Sequence, residues 1–349
     1  MKKRGLKIIV SLIIIMIASC DEPETVVTDI IHPDGTVTRK IEMKNSKNEF
    51  PVKSMKVPID NTWKIRDSLE IGKKGDTTWV KRAEKLYATV DEINASYKND
   101  SGANRETGRH AEFKKQFRWF TTDYVFSENI DSRLKFGYPI ASFLNKDELN
   151  YFYSPSKIKE EKLNSADSLK YKAIFDTINK KTDTWTFKSL ISEWIGQFDL
   201  LAPGRTEKEL TTQALKARED EFVRSLEKYS HNFDSLWKSG TVLNDYFGET
   251  IAKKYRQQFD SSMSIVEKIG LGDFKDYSLK IIMPGKLTGT NGFMDSSHVL
   301  LWPVKSDYFF TEPYSMWAES KITNTWAWII TGLFLVFVAA GLIIRRLRK

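Results

Sequence analysis

Residues 26–31 and 36–43 alternate apolar and polar positions on either side of His32-Pro33-Asp34-Gly35, with Val37, Ile41 and Met43 on one side of the second run. That pattern predicts two half-buried strands joined by a tight turn. After a polar connector at 44–48, a second hairpin is expected from 63–71, around Gly72-Lys73-Lys74-Gly75-Asp76, into 77–81, because Trp63, Ile65, Leu69 and Ile71 mostly keep period two. Residues 83–97 read as a helix and 99–108 as a loop. In 117–126 the parity puts Phe120, Thr122, Tyr124 and Phe126 on one face, which reads as a strand or as the entry of a helix.

From about residue 144 to 270 the period changes to helical. Leu190, Ile191, Trp194, Ile195 and Phe198 share a face, and Pro203-Gly204 stops that helix. Thr206-Glu207-Lys208-Glu209 has the form of a capping box, opening a helix that would bury Leu210, Ala214, Phe222, Val223 and Leu226. A third run, Phe247, Ile251, Tyr255, Phe259, Met263 and Val266, steps by fours and then a three. Such stripes bury in a core more often than they line a ligand cavity.

Period two returns near the end. Residues 277–283, 286–290 and 297–304 read as strands joined by Pro284-Gly285 and Asn291-Gly292, the second being the strongest short hairpin signal in the chain. Strands at both ends with helices between them predict an α+β fold: an antiparallel sheet formed by N- and C-terminal hairpins, with a large helical insertion at about 144–270. Residues 305–324 carry Tyr308, Phe309, Phe310, Tyr314, Met316 and Trp317. Partial docking of these side chains on the sheet, with contact to a membrane interface, is the expectation.

Two apolar segments bracket this body. Residues 6–17, after the basic head Met1-Lys2-Lys3-Arg4, are too short to cross a bilayer and have the flanks of a secretory leader, 1–19. Ile17-Ala18-Ser19-Cys20 resembles the bacterial lipobox, which implies acylation of Cys20, the chain's single cysteine. With one cysteine, no intramolecular disulfide, thiolate metal site or second thiol is available. Trp326 to Ile344 is uncharged and, as a helix, about 28 Å long, enough for one crossing. Trp326 and Trp328 would anchor it at one interface, while Arg345 and Arg346, followed by Arg348 and Lys349, make 345–349 a cytoplasmic tail by the positive-inside rule. The expected organisation is therefore leader 1–19, an α+β body at 20–324 in the periplasm, a membrane helix at 325–344 and the basic tail. Asp21 after the acylated cysteine resembles an inner-membrane retention signal.

The formal charge of +8 comes from these terminal segments. Four of the 54 basic residues lie in the leader and four in the tail; without those eight, the two signs balance at 46 each. A neutral body has no summed field for nucleic acid, and none is expected as a partner. Ten tryptophans, 13 tyrosines and 21 phenylalanines indicate aromatic-rich cores in a body long enough for one large or two ordinary domains.

The segments Ile282-Met283-Pro284-Gly285-Lys286, Thr290-Asn291-Gly292 and His298-Val299-Leu300-Leu301-Trp302, followed by one span and a basic tail, resemble the closing hairpin of LppM-like envelope lipoproteins. The Asp34-Gly35 hairpin is similar as well. The resemblance covers about fifty residues at the two ends and implies a small sheet-and-helix domain with a lipid- or envelope-binding role. It supplies no catalytic residue.

Chemistry-bearing residues are sparse. His32, His110, His231 and His298 are scattered with no metal-ligand spacing, and GxSxG and Walker loops are absent. Ser154-Pro155-Ser156-Lys157 matches S-x-x-K without its companion motifs, and Glu219-Asp220-Glu221 reads as a solvated helix face. No catalytic, cofactor or metal residue is assigned. Two functions remain: a non-catalytic module binding the bilayer, an envelope lipid or a membrane protein, or a membrane-tethered hydrolase of envelope polymers. They differ in whether the body offers an apolar groove or a polar cleft with raised carboxylates.

Overall fold

The computed structural model describes residues 23–72, 77–156, 159, 168–229, 233–270, 274–295 and 297–348. The leader, Cys20, Asp21, the turn at 73–76, Lys157, His231 and Lys349 lie outside them. Among the described residues, the strands are β1 (Glu24–Ile31), β2 (Val37–Asn45), β3 (Lys64–Ile71), β4 (Thr77–Tyr87), β5 (Arg109–Phe117), β6 (Thr121–Ile130), β7 (Tyr277–Ile282), β8 (Lys286–Thr290), β9 (Phe293–Met294), β10 (Leu300–Val304) and β11 (Tyr314–Thr323). The helices are α1 (Val90–Lys98), α2 (Lys146–Tyr153), α3 (Ser168–Leu201), α4 (Thr212–Ala217), α5 (Glu219–Tyr229), α6 (Phe233–Lys238), α7 (Thr241–Phe247), α8 (Glu249–Lys254), α9 (Arg256–Gly270) and α10 (Thr325–Leu347).

The α+β class holds, and both ends of the chain do meet in one sheet. The join is parallel, β1 against β7, inside a seven-stranded sheet of order β3-β4-β2-β1-β7-β10-β9. A second, antiparallel sheet, β5-β6-β11-β8, faces it. The inward residues of the two sheets, among them Val27, Val37, Ile41, Phe126, Ile130, Met316 and Ala318, form one core with Ile93 of α1. On β1, β2, β7 and β11 buried positions alternate with more open ones, as two sheets packed face to face require, whereas β3 is open on both faces and leaves Ile65, Leu69 and Ile71 exposed.

The two tight turns of the closing strands do not make hairpins. β7 and β10 belong to the first sheet and β8 to the second, so Pro284-Gly285 and Asn291-Gly292 carry the chain across the core and back. Gly285, at φ 77°, lies against the backbone oxygen of Lys321, where a Cβ would approach to 2.5 Å. Gly292 lies under the buried indole of Trp302, whose Nε1 donates to Asn291 Oδ1 at 2.9 Å. Asn291 Oδ1 also accepts from the Trp317 amide at 3.0 Å. Asn-Gly here serves close approach of the backbone to a ring rather than a two-residue turn.

Further differences have local causes. Residues 83–87 extend β4, paired throughout with β2 and at Ala83 and Glu84 with β3, so the helix expected at 83–97 begins only at Val90. The polar strand β5 is joined to β6 by the turn at 118–120. The Thr206–Glu209 box is not used: Thr211 caps α4 through its hydroxyl, whereas a capping box does form at Asn145 and Glu148 before α2. The third stripe is broken at Gly248, φ 77°, and again at Tyr255 into α7, α8 and α9, yet Phe247, Tyr255, Phe259 and Val266 are all buried. Leu210 and Phe222 bury as expected, and Leu215 replaces Ala214; the side chain of Leu226 is outside those described. His298 sits at φ 58° in the turn before β10 instead of opening the strand.

α3 joins the two halves of the body. Ile178 and Trp185 enter the sheet core, while Ile191, Trp194, Ile195 and Phe198 enter a second core built by α4 to α9. Between them Glu193, fully buried, accepts from the amides of Lys135 at 2.8 Å and Phe136 at 2.7 Å, and from Gln197 Nε2 at 2.7 Å. Ser192 Oγ donates to the Phe136 oxygen at 2.6 Å and Trp185 Nε1 to the Tyr138 oxygen at 2.8 Å. Residues 135–138 are thus strapped to the helix by side-chain bonds to backbone.

Candidate functional site

α10 leaves the body directly from β11. It is 23 residues long, has a mean hydropathy of 2.6 over its most apolar stretch and is almost wholly exposed, so by length and composition it can cross a membrane. Its first turn is held from outside the helix. Asn324 Oδ1 accepts from Thr122 Oγ1 at 3.0 Å, Asn324 Nδ2 donates to the Arg118 oxygen at 2.8 Å, and the Asn324 amide donates to the Phe120 oxygen at 2.9 Å. A side chain able to donate and accept at once is required there, because the turn offers both a hydroxyl and carbonyls.

Aromatic rings surround this joint. Phe117 stacks on Trp326 at 6.2 Å, Trp119 meets Trp326 edge-on at 5.3 Å, and Phe120 meets Trp328 at 4.3 Å. Trp119 Nε1 donates to Thr331 Oγ1 at 3.0 Å. The sequence-expected anchors Trp326 and Trp328 therefore stand in a collar shared with the β5–β6 turn, while Arg345 and Arg346 lie in the last turn of α10. Collar members Phe117 and Trp119 carried no sequence signal beyond their own exposed apolarity, since their partners are some two hundred positions away. The remaining aromatics at 305–324 dock more fully than expected: Tyr308, Phe309, Phe310, Tyr314 and Met316 are buried, and Trp317 is partly so.

Asn324→Ala removes one acceptor and one donor from this joint. A loss of about 1–3 kcal/mol in unfolding free energy is expected. A spin label on α10 should gain mobility relative to the body; unchanged spectra would show that the rings alone hold the helix.

The body buries a charge network between the sheets. Arg39 of β2 donates from Nε and Nη2 to both Asp29 oxygens at 2.7 Å, from Nη2 to Glu128 Oε2 at 2.7 Å and from Nη1 to Tyr97 Oη at 2.5 Å. Tyr97 Oη in turn donates to Glu128 Oε1 at 2.7 Å. Beside it Arg109 pairs with Asp100 and donates to the Lys56 oxygen at 3.2 Å. Burial pushes the Asp29 carboxyl up despite the Arg39 guanidinium beside it. Asp29, Arg39 and Glu128 are at most 1% exposed, so no substrate reaches them; they tie β1, β2 and β6 together. All three occupy inward parity positions, between Val27 and Ile31, Val37 and Ile41, and Phe126 and Ile130. That parity was the signal by which sequence could have found them.

A cavity of about 370 Å³ opens beside α1, walled by Met55, Val57, Ile59 and Tyr87 and rimmed by Lys85, which pairs with Asp60 at 3.0 Å. Asp276 and Asp307 are both exposed to solvent and lie within electrostatic reach of each other. Burial, opposed by Lys305 and reinforced by Asp307, pushes Asp276 up to about 6; burial likewise raises Asp307. Burial and the nearby Lys305 bring Lys159 down to about 8. Between about pH 4 and pH 6 the native chain holds a proton on Asp276 that the unfolded chain, at 3.8, has released. The contribution of Asp276 to stability therefore falls as pH rises through that window, opposite in sign to that of lowered carboxyls such as Glu207. Urea midpoints at intervals across it should fall less, or rise more, with pH in Asp276→Asn than in the parent; an identical slope would place the titration elsewhere.

The other candidate residues do not converge. His32 Nε2 is 2.9 Å from Thr38 Oγ1, and His110 is exposed near Glu112. Ser154 is buried and donates to the Asn150 oxygen at 2.6 Å, which ties up its hydroxyl. Glu219 is not on a solvated face: it is buried and accepts from Tyr138 Oη at 2.7 Å, while Asp220 pairs with Lys188 at 2.6 Å. Among the described residues no three His, Cys, Asp or Glu side chains gather as metal ligands.

No family model matches the chain, and no curated protein matches it. Among solved structures it is similar to the folded domain of LppM from Mycobacterium tuberculosis, determined by NMR, with 9% identity, a TM-score of 0.28, and coverage of 87% of this chain and 92% of that one.

Proposed function

We propose that the chain is a bacterial envelope lipoprotein anchored in the inner membrane at both ends, through acyl chains on Cys20 and through α10. Its body stands in the periplasm as a non-catalytic binding or scaffold module for a lipid, an envelope component or a membrane protein. The observation that carries this reading is the joint at Asn324, where a helix of membrane-spanning length is bonded into the sheet rather than hung on a linker. A free anchor would need no such bonds; a body held at a fixed attitude to the bilayer does. Trp326 and Trp328 at one end of α10, and Arg345, Arg346 and Arg348 at the other, support a cytoplasmic C-terminus.

Two measurements test it. A reporter active only in the cytoplasm, fused after Lys349, should be active, and intact cells fed a labelled fatty acid should acylate the chain but not its Cys20→Ala variant. The variant should stay membrane-bound through α10. A reporter active only on the exported side would end the reading.

A membrane-tethered hydrolase is the second reading, favoured by one feature: the accessible Asp276–Asp307 pair, whose raised carboxyl has the character of a general acid. Purified full-length protein that cleaves peptidoglycan, and loses that cleavage in both Asp276→Asn and Asp307→Asn, would establish it over the first.

A further inference from the structure

The β5–β6 tip is exposed in a way its own fold does not require. Lys114, Lys115, Gln116, Phe117, Arg118 and Trp119 are consecutive and all open to solvent, Phe117 by 57% and Trp119 by 48%. One exposed ring is ordinary on a protein surface. Here the rings form a patch continuous with Trp326 and Trp328.

The position of that patch follows from α10. Thr331 lies six residues past Thr325, about 9 Å along the axis at the usual helical rise. Trp119 is bonded to it, and therefore sits alongside the second turn of the helix rather than above its start. If α10 crosses the bilayer, as proposed above, the indole of Trp119 is carried to the depth where tryptophan partitions best.

Cations ring the same end of the second sheet. Lys114 and Arg118 are 75% and 61% exposed, Lys321 is 44% exposed, and Lys286 stands opposite Lys321 across the β8–β11 pairing. The acids nearby are fewer and mostly engaged: Asp123 pairs with Arg118 at 2.7 Å and with Lys321 at 3.5 Å, and Glu112 with Lys114 at 3.0 Å, leaving exposed Glu319. An apolar wedge flanked by surplus positive charge is the pattern of an interfacial contact with anionic lipid.

We propose that the β5–β6 tip is a second, peripheral membrane contact of this protein, with Phe117 and Trp119 set at the headgroup boundary beside α10 and Lys114, Arg118, Lys286 and Lys321 holding the headgroups of anionic phospholipid. The inference rests on α10 being a span. With the helix and the tip both seated, the body has two points of support on one surface and cannot swing about its stem.

The test uses the full-length chain with Cys20→Ala, reconstituted into vesicles of phosphatidylcholine with or without phosphatidylglycerol. A fluorophore is attached at Gln116→Cys at the tip, at Phe337→Cys inside α10, or at Glu106→Cys near the opposite end of β5, and quenched by nitroxide-bearing lipid. Labels at 337 and 116 should be quenched and the label at 106 should not. Quenching at 116 should deepen with phosphatidylglycerol and fall at least twofold in Lys114→Glu/Arg118→Glu or at high salt. A quenched 337 with an unquenched 116 overturns the tip contact and leaves the span standing. An unquenched 337 removes the span and the tip contact with it. Quenching at 116 that ignores phosphatidylglycerol and charge reversal overturns the anionic-headgroup assignment.

Discussion

Arg39→Met is expected to lower the unfolding free energy by about 3–5 kcal/mol, because it strands two carboxylates inside the sandwich. Arg39 pairs with both Asp29 and Glu128 at 2.7 Å, on side chains that are at most 1% exposed. Removing it leaves Asp29 and Glu128 facing each other across the core with Tyr97 Oη donating to only one of them. Against a total stability of roughly 5–15 kcal/mol, that is a large fraction. Replacing the whole set, Asp29→Leu, Arg39→Met, Tyr97→Phe and Glu128→Leu, should recover most of the loss, since no charge or donor is then left buried without a partner. Urea titration of both variants measures this. A single variant that loses under about 1 kcal/mol would mean that water reaches the carboxylates, contrary to their burial.

The network is also where sequence reading failed most instructively. Alternation placed β1 and β2 correctly because inward side chains on those strands are overwhelmingly apolar, whereas the stripe read at 117–126 merged the end of β5 and the turn at 118–120 with the first half of β6. The inward stripes of β1, β2 and β6 contain Asp29, Arg39 and Glu128, whose partners are 10 and 89 positions apart. A charge on a strand is read by default as outward, so only its parity with buried neighbours would have exposed the contradiction. The parallel β1–β7 join and the passage of β8 between sheets had no local trace, because Pro-Gly and Asn-Gly signal a sharp turn without saying which sheet receives the next strand. Residues 83–87 fit both periods, and pairing with β2 and β3 decided the matter.

At the α10 end of the body the balance was similar. The length and composition of α10, its flanking tryptophans and its basic end were legible one residue at a time. The joint at Asn324 and the bond from Trp119 to Thr331 span 202 and 212 positions, and neither residue type announces such a role. What turns an apolar tail into a rigid stem is thus a tertiary property, carried by one asparagine and one hairpin turn.

Glu193→Leu is expected to cost a further class of stability, about 3–5 kcal/mol, and to change the shape of unfolding as well as its midpoint. Glu193 is fully buried on α3 and is the acceptor for the amides of Lys135 and Phe136 and for Gln197 Nε2. Leucine matches its bulk but accepts nothing, so two backbone donors lose a carboxylate at once. Glu193→Gln keeps the one oxygen that both amides share and should lose roughly half as much, since those bonds become neutral and Gln197 Nε2 loses its acceptor. The strap at 135–138 follows Leu134, which is bonded to Phe310 in the sheet core, and is tied to α3 through Trp185, Ser192 and Glu193, next to the residues by which that helix enters the helical core. Cutting it should let the helical core unfold before the sheets do, replacing one transition by two when fluorescence and far-ultraviolet circular dichroism are compared. Coincident transitions in Glu193→Leu would show that the continuous backbone of α3, rather than its polar bonds, couples the two cores.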